Sequence, residues 1–387
     1  MRNLAVILAA ALTACGPAAK APMSMKVVRS EMKRNPEASY IDGQEGRLKW
    51  NYTTGLELKA MLDAAPKKAL GYVDAWYDAI IDDTGTIYNY KRGNYSTDHI
   101  CPGRTLFRLY DITGKEKYRM AMDTLYRQLQ EQPRTPEGGF WHKKIYPNQM
   151  WLDGLYMAQP FYAEYTKRYV PDSLKEANYK DIAHQFRLVY DHTYDPATGL
   201  LRHAWDSSHQ MFWCNPETGQ SDHAWGRAMG WYAMALVDVA EILPEGEPRN
   251  EIIDIFNKVM DSIVPYKEMS SYMWYQVLDC PGREGNYLEA TCSVMFVYAM
   301  LKGTRLGILE HFSSDTACRY YSKMLQTFVR LDYDNMINLN HCCEVAGLGG
   351  KDNRRGDYEY YINEPVRSND PKGIGPLIWA ALEREKL

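Results

Sequence analysis

Apolar residues in this 387-residue chain recur at steps of three and four along most of its length, the spacing that keeps them on one face of a helix. Tyr179, Ile182, Phe186, Val189 and Tyr190 make one such stripe, and Ile252, Ile255, Phe256, Val259 and Ile263 make another. Similar runs cover about 54–64, 68–81, 98–110, 115–131, 151–169, 222–243, 288–302, 314–330 and 373–385, and strand-like alternation is sparse. Breakers stand between them, such as Pro171-Asp172-Ser173 and Pro244-Glu245-Gly246-Glu247-Pro248. The pattern predicts an all-α chain of about a dozen helices in antiparallel pairs. Such a set buries its stripes around one core if it closes into a ring of hairpins, an α/α toroid whose loops at one end form a cup. After residue 25 no Pro/Gly/Ser-rich linker or charge block divides the chain, so one domain is expected.

The N-terminus departs from this pattern. Arg2 precedes a short apolar run, Leu4 to Leu12, that ends in Leu12-Thr13-Ala14-Cys15-Gly16. This resembles a bacterial lipoprotein signal, which implies cleavage before Cys15 and lipid on its thiol; an ordinary secretory signal is the alternative. The division that follows is a signal at 1–14, a flexible lipid-anchored tether at 15–40 and a catalytic domain at 41–387, in a protein of the periplasm or outer membrane. A spanning helix needs about 20 apolar residues, and the run is too short for one. The other seven cysteines are odd in number and scattered, so a full disulfide framework does not organise the fold. A formal net charge of −4 gives no long-range attraction to nucleic acid or anionic membrane.

Missing motifs narrow the chemistry. The sequence has no GxSxG elbow, no HExxH, no P-loop and no strand followed by GxGxxG, so no cofactor is expected. His341-Cys342-Cys343 lacks a second ligand pair and reads as buried packing rather than a metal site. Gly347-Leu348-Gly349-Gly350 with Arg354 and Arg355 reads as a surface loop rather than a phosphate cradle.

Two blocks stand out. In Trp151-Leu152-Asp153-Gly154-Leu155-Tyr156-Met157 an aspartate is flanked by bulky apolar groups, which desolvate a carboxyl and raise its pKa toward that of a general acid; a helix N-cap is the other reading. Asp98, in Ser96-Thr97-Asp98-His99, has the same two readings. If both carboxyls enter one cup, each raises the pKa of the other. The second block runs from Arg202-His203-Ala204-Trp205 to Trp225-Gly226-Arg227-Ala228-Met229-Gly230-Trp231. Arg227 and Trp231 are four apart on a helix, which sets a guanidinium beside an indole and suits an anionic sugar. Six of the ten tryptophans fall within the 91 residues from Trp141 to Trp231. A tryptophan-rich core with Arg227 reaching solvent is the alternative.

With Gly285-Asn286-Tyr287-Leu288-Glu289 and Asn369-Asp370-Pro371-Lys372-Gly373-Ile374-Gly375, these blocks resemble glycoside hydrolase family 105, the unsaturated rhamnogalacturonyl hydrolases, from about residue 45 to the end. The resemblance implies an (α/α)6 barrel without metal or cofactor. It implies hydration of the C4=C5 bond of a 4,5-unsaturated uronic acid at the non-reducing end of lyase-generated pectin oligosaccharides. By motif, Asp153 is the acid/base and Asp98 its partner. His203 and Arg227 bind or polarise the substrate, Trp151, Trp225 and Trp231 line the pocket, and His142 and Tyr52 join them. Ala228-Met229 departs from the family's small or polar residues and is expected to reshape the subsite. The related unsaturated glucuronyl hydrolases, acting on glycosaminoglycan or ulvan fragments, share this fold and chemistry, and a non-catalytic glycan-binding lipoprotein would share the cup.

Overall fold

The computed structural model describes residues 21–387; the proposed signal and Cys15 lie outside them. Among the described residues thirteen α-helices account for about half: α1 Met23–Arg34, α2 Tyr52–Ala64, α3 Pro66–Ile80, α4 Gly103–Thr113, α5 Glu116–Gln130, α6 Leu152–Tyr169, α7 Asp172–Thr193, α8 Gly226–Ile242, α9 Glu247–Ile263, α10 Ala290–Arg305, α11 Ser314–Phe328, the short α12 Tyr358–Asn363, and α13 Pro371–Lys386. Around the barrel α2, α4, α6, α8, α10 and α13 each pack on the next, and α13 returns to α2. Each of these inner helices has one outer partner: α3, α5, α7, α9 and α11 for the first five, and α1 for α13. Six hairpins therefore close an (α/α)6 barrel around one large apolar core. The inner helices are apolar nearly all round, as in α8, where every residue from Gly226 to Ala240 is buried. Outer helices such as α9 carry one apolar stripe, Ile252, Ile255, Phe256, Val259 and Ile263.

Residues 15–40 were expected to form a tether, but within them Met23–Arg34 is the outer helix of the sixth hairpin. Val27 and Val28 are fully buried. Ser24 donates through its backbone N–H and its hydroxyl to Glu385 at 2.9 and 2.7 Å, and Ser30 Oγ accepts from the backbone of Ile337 at 2.9 Å. Three of the five buried residues of α1, Ser24, Ser30 and Glu31, are polar; its attachment thus rests partly on hydrogen bonds, to which apolar periodicity is blind.

The six strands among the described residues are short: β1 Gln149–Trp151, β2 Ala204–Asp206, β3 Val329–Leu331, β4 Ile337–Leu339, β5 Cys342–Cys343 and β6 Val366–Arg367, paired as β1–β2, β3–β4 and β5–β6. No described helix is long and apolar enough to cross a membrane.

All six inner helices begin at one end of the barrel. Tyr52, the first residue of α2, feels the charges of Asp98, Asp153, Arg227 and Asp370 from four other inner-helix starts, and Arg227 feels Glu289 at the start of α10. The opposite end opens into a cavity of about 730 Å³ lined by the later turns of the same helices and by Arg104, which reaches it from the first turn of α4. Its charges largely satisfy one another: Asp238 holds Arg104 and Lys302, each at 2.7 Å. The two poles differ in kind, one a mutually paired ion network and the other the gathering point of the motif residues.

Candidate active site

The antiparallel β1–β2 ladder sets the centre of the site. Its register pairs Trp151 with Ala204, and the next hydrogen bond, Leu152 N–H to the carbonyl of His203 at 3.1 Å, carries the alignment one step further. Asp153 and His203, fifty positions apart, meet there: Nε2 of His203 lies 3.3 Å from Oδ2 of Asp153. Asp153 stands in the first turn of α6 and makes no capping bond, so the cap reading does not hold. Its side chain is 15% exposed, and its Oδ2 is sealed without a well-aligned hydrogen bond, as is Nε2 of His203. On its other side His203 meets the Tyr361 hydroxyl at 2.7 Å from Nδ1.

Asp98 lies in a single 3-10 turn, Thr97–His99, ahead of α4. Lys143 Nζ is 2.5 Å from its Oδ2 and His142 Nε2 is 3.6 Å from its Oδ1. Burial opposes the charge of Asp98, but Lys143 and His142 outweigh it and hold the carboxyl below its ordinary value. This corrects the expectation of two carboxyls raising each other: Asp98 is held as an anion by its cationic neighbour. His142 is buried against Trp151, ring centroids 4.6 Å apart and nearly parallel, and its Nδ1 lies 3.1 Å from the Thr97 hydroxyl. Burial, only partly offset by Asp98, pushes its pKa down to about 4; it is a neutral ring at physiological pH.

Arg227 is the second residue of α8. Gly226 before it is required by close approach, since a Cβ there would stand 2.9 Å from Cys292 Sγ and 3.0 Å from the Tyr275 carbonyl. The guanidinium is 1% exposed and donates through Nη1 to the carbonyl of Cys343 at 2.6 Å. Its Nε and Nη2 are buried without partners, and no carboxylate of the described residues lies within 4.0 Å of it. Glu289 and Asp370, the nearest acids by charge, are already engaged. Glu289 accepts from the backbone of Cys292 at 2.6 Å and Cys343 at 2.9 Å, and Asp370 from the backbone and Nζ of Lys372, both at 2.9 Å. A buried cation with two orphan donors is costly unless an anion completes it.

The indole beside Arg227 is Trp225, at 4.9 Å from the guanidinium carbon, rather than the expected Trp231. Trp225 also meets His203, centroids 4.8 Å apart, and its Nε1 is fixed on Gln276 at 3.1 Å. Trp151, anchored through Nε1 on Gln149 at 3.1 Å, forms the facing wall with His142 and Tyr146. Trp231 lies deeper, against Tyr52 and Tyr156. Met229 is fully buried and, two residues on from Arg227, lies on the opposite face of α8, so the expected reshaping of the subsite is not seen.

Sequence reasoning missed Lys143, Tyr361 and Gln276. Lys143 follows His142 directly, and that dipeptide was the one local signal available. Glu289 and Asp370 belong to motif blocks but cap α10 and α13 through their side chains, so two of the four blocks are partly devices for starting helices. The starts of α4, α6 and α8 carry no side-chain cap. Of the clusters considered for other chemistry, Cys342 and Cys343 are buried in β5, and Arg354 folds back on its own loop, donating to the Gly349 carbonyl at 3.0 Å. Among the described residues one further cluster, His223, Asp279 and Cys280, could hold a metal ion. Its Asp279 Oδ2 already pairs with Arg202 at 2.8 Å and His223 at 2.9 Å.

A six-hairpin barrel that gathers acids, imidazoles and indole plates at the starts of its inner helices brings together the kinds of group that bind and process carbohydrate. The model of Glycosyl Hydrolase Family 88 matches residues 23–387. A solved glycoside hydrolase of family 105 from C. acetobutylicum superposes with a TM-score of 0.89 at 44% identity, covering 95% of this chain and all of that one. The chain therefore belongs to the family 88/105 glycoside hydrolases. Protein Atu3128 of Agrobacterium fabrum is 38% identical over 233 residues, 59% of this chain and 97% of that protein. The unsaturated rhamnogalacturonyl hydrolase YesR of Bacillus subtilis is 29% identical over 217 residues, 54% of this chain and 59% of that protein.

Proposed function

We propose that the protein is an unsaturated rhamnogalacturonyl hydrolase, held in the bacterial envelope by lipid on Cys15. Its substrate is the 4,5-unsaturated uronic acid that a lyase leaves on rhamnogalacturonan fragments. The observation that carries this reading is Arg227: a sealed guanidinium with two unsatisfied donors, beside an indole and near the Asp153–His203 pair, suits a planar sugar carboxylate. The uncapped starts of α4, α6 and α8 add partial positive charge at the same end. YesR supports the choice of rhamnogalacturonan by its name.

In this reading Asp153 begins protonated. Its O–H bond breaks as the C4=C5 electron pair takes the proton at C4, leaving a cation at C5 shared with the ring oxygen. Water adds at C5 and returns a proton to Asp153. The resulting hemiketal opens and releases the neighbouring sugar. Asp98, kept anionic by Lys143, accepts hydrogen bonds from sugar hydroxyls and favours the cation as it forms. Carboxylate spacing rules for displacement at C1 do not apply to this addition.

The alternative, a glucuronyl hydrolase for sulfated glycosaminoglycan fragments, calls for free cations beside the second sugar. Lys143 is taken by Asp98, and Arg354 by Gly349 and Tyr146, which favours a neutral neighbour such as rhamnose. The test is a panel of lyase products from pectin, ulvan and glycosaminoglycans, followed by the ultraviolet absorbance of the double bond. Loss of absorbance fastest with rhamnogalacturonan products is expected. Preference for a sulfated product overturns the substrate assignment, and no loss with any product overturns the enzymatic reading.

A further inference from the structure

Tyr361 lies on α12, 158 residues from His203 in sequence, with its hydroxyl 2.7 Å from Nδ1 of that ring. Both side chains are fully buried. The position is tightly held: the phenol ring stacks on Trp225, centroids 5.9 Å apart, and the Tyr361 carbonyl accepts from Gln276 Nε2 at 3.1 Å, the same glutamine that anchors the Trp225 indole. Among the described residues the hydroxyl has no other hydrogen-bond partner. Burial pushes the phenol well above its ordinary pKa, so it keeps its proton, and a sealed hydroxyl proton needs an acceptor.

We propose that Tyr361 is a positioning residue that sets the tautomer of His203 and, through it, which oxygen of Asp153 carries the catalytic proton. This rests on the reading of Asp153 as acid/base. The Tyr361 hydroxyl donates to Nδ1, and in a neutral imidazole the proton then sits on Nε2. That N–H faces the sealed Oδ2 of Asp153 at 3.3 Å, within hydrogen-bond distance, and a small ring rotation aligns it. Oδ2 is thereby held as an acceptor whether Asp153 is neutral or ionised, and the acidic proton is confined to Oδ1, on the side of the opening.

The opposite tautomer does the reverse. With the proton on Nδ1, a bare Nε2 lone pair would face Oδ2 and hold the aspartic proton as an O–H···N bond, away from the sugar. In the proposed arrangement neither His203 nor Tyr361 changes protonation during turnover: the proton leaves Oδ1 for C4, and one from water returns to the carboxylate.

The test is the side-chain ¹⁵N spectrum of histidine-labelled full-length protein at neutral pH, with the His203 signals assigned by their loss in His203→Gln. The wild type should show the Nε2–H tautomer. Tyr361→Phe, which keeps the ring, should show a mixture of tautomers, and its kcat should fall about ten- to a hundredfold with little change in KM. A wild-type ring protonated on Nδ1, or on both nitrogens, overturns the proposal whatever the turnover. So does a Tyr361→Phe protein with unchanged tautomer and unchanged kcat. If that variant does not fold, the wild-type spectrum decides alone. Failure of the underlying reading is seen separately, as undiminished turnover by Asp153→Asn.

Discussion

Lys143 Nζ sits 2.5 Å from Oδ2 of Asp98, and the pair occupies the wall of the cup rather than its outer surface. The ammonium is 26% exposed and the carboxyl 17%, so the attraction is less screened than in a surface pair. The effect is to set Asp98 apart electrostatically from Asp153, which has no such cation beside it among the described residues. Lys143 holds Asp98 as an anion, whereas the nearest charged-group contact of Asp153 is a histidine, His203, at 3.3 Å.

Lys143→Met should therefore raise the pKa of Asp98 and move the acid limb of the kcat/KM profile to higher pH. A carboxyl held low contributes stability above its unfolded pKa, about 3.9, and loses it as the pH falls through the folded value. The variant should also melt at lower temperature at pH 7, with the difference closing toward pH 3. An unmoved acid limb would mean that Lys143 does not maintain the charge.

Asp153→Asn keeps the shape of the side chain and removes the proton. Turnover of a lyase-generated disaccharide should fall by about 10²–10⁴, while calorimetric titration still shows binding. Near-normal loss of absorbance would remove Asp153 from its role.

Arg227→Lys keeps a charge but loses the planar fork. KM should rise about 10–100-fold, the worth of charge-assisted hydrogen bonds to a carboxylate, with a smaller change in kcat. Arg227→Met should be worse in KM. Because both variants give up the bond to the Cys343 carbonyl, melting curves should accompany the kinetics. Unchanged KM in both would exclude carboxylate capture by this residue.

Glu57 offers a test of stability at a residue with no part in the proposed reaction. It is 1% exposed, its Oε1 has no partner, and burial, with Glu31 nearby, lifts its pKa well above the ordinary value. A carboxyl raised in the folded state is stabilising only while protonated, and stability drains away as the pH rises from about 4.3 through the folded value. Glu57→Gln abolishes that dependence. The variant should match the wild type near pH 4 and melt about 2–4 °C higher at pH 8; equal melting at both values would show that Glu57 is not strained by its burial.

Much of the barrel was legible in the sequence because inner and outer helices announce themselves by apolar spacing: the stripe at 151–169 is α6, 152–169, almost to the residue. The exceptions are instructive. Helix α1 escaped because three of its five buried residues, Ser24, Ser30 and Glu31, are polar, and Ser24 and Ser30 are held by distant partners that no local window contains. Asp153, His203, Arg227 and Trp225 could be singled out as candidates because each sits in a distinctive block, and they lie together in the structure. Tyr361 was not: its segment, Tyr358-Glu359-Tyr360-Tyr361, looks like any amphipathic turn, and its meaning comes from contact with a ring 158 positions away. The mistaken pairing of Arg227 with Trp231 shows that helical spacing gives a shared face, whereas the guanidinium curled back over Trp225, the residue just before the helix begins.

The first and last helices described are the two halves of a single hairpin, linked by a bond between residues 361 positions apart. A chain emerging from the ribosome can fold its neighbouring pairs in turn, as local contacts form early, but the ring stays open until α13 appears to cover the flanks of α2 and α10. Asp370, which starts that helix and adds to the charge around Arg227, arrives with it. Nascent or C-terminally clipped molecules thus already possess every residue assigned to the reaction and still lack the clasp that makes them an enzyme.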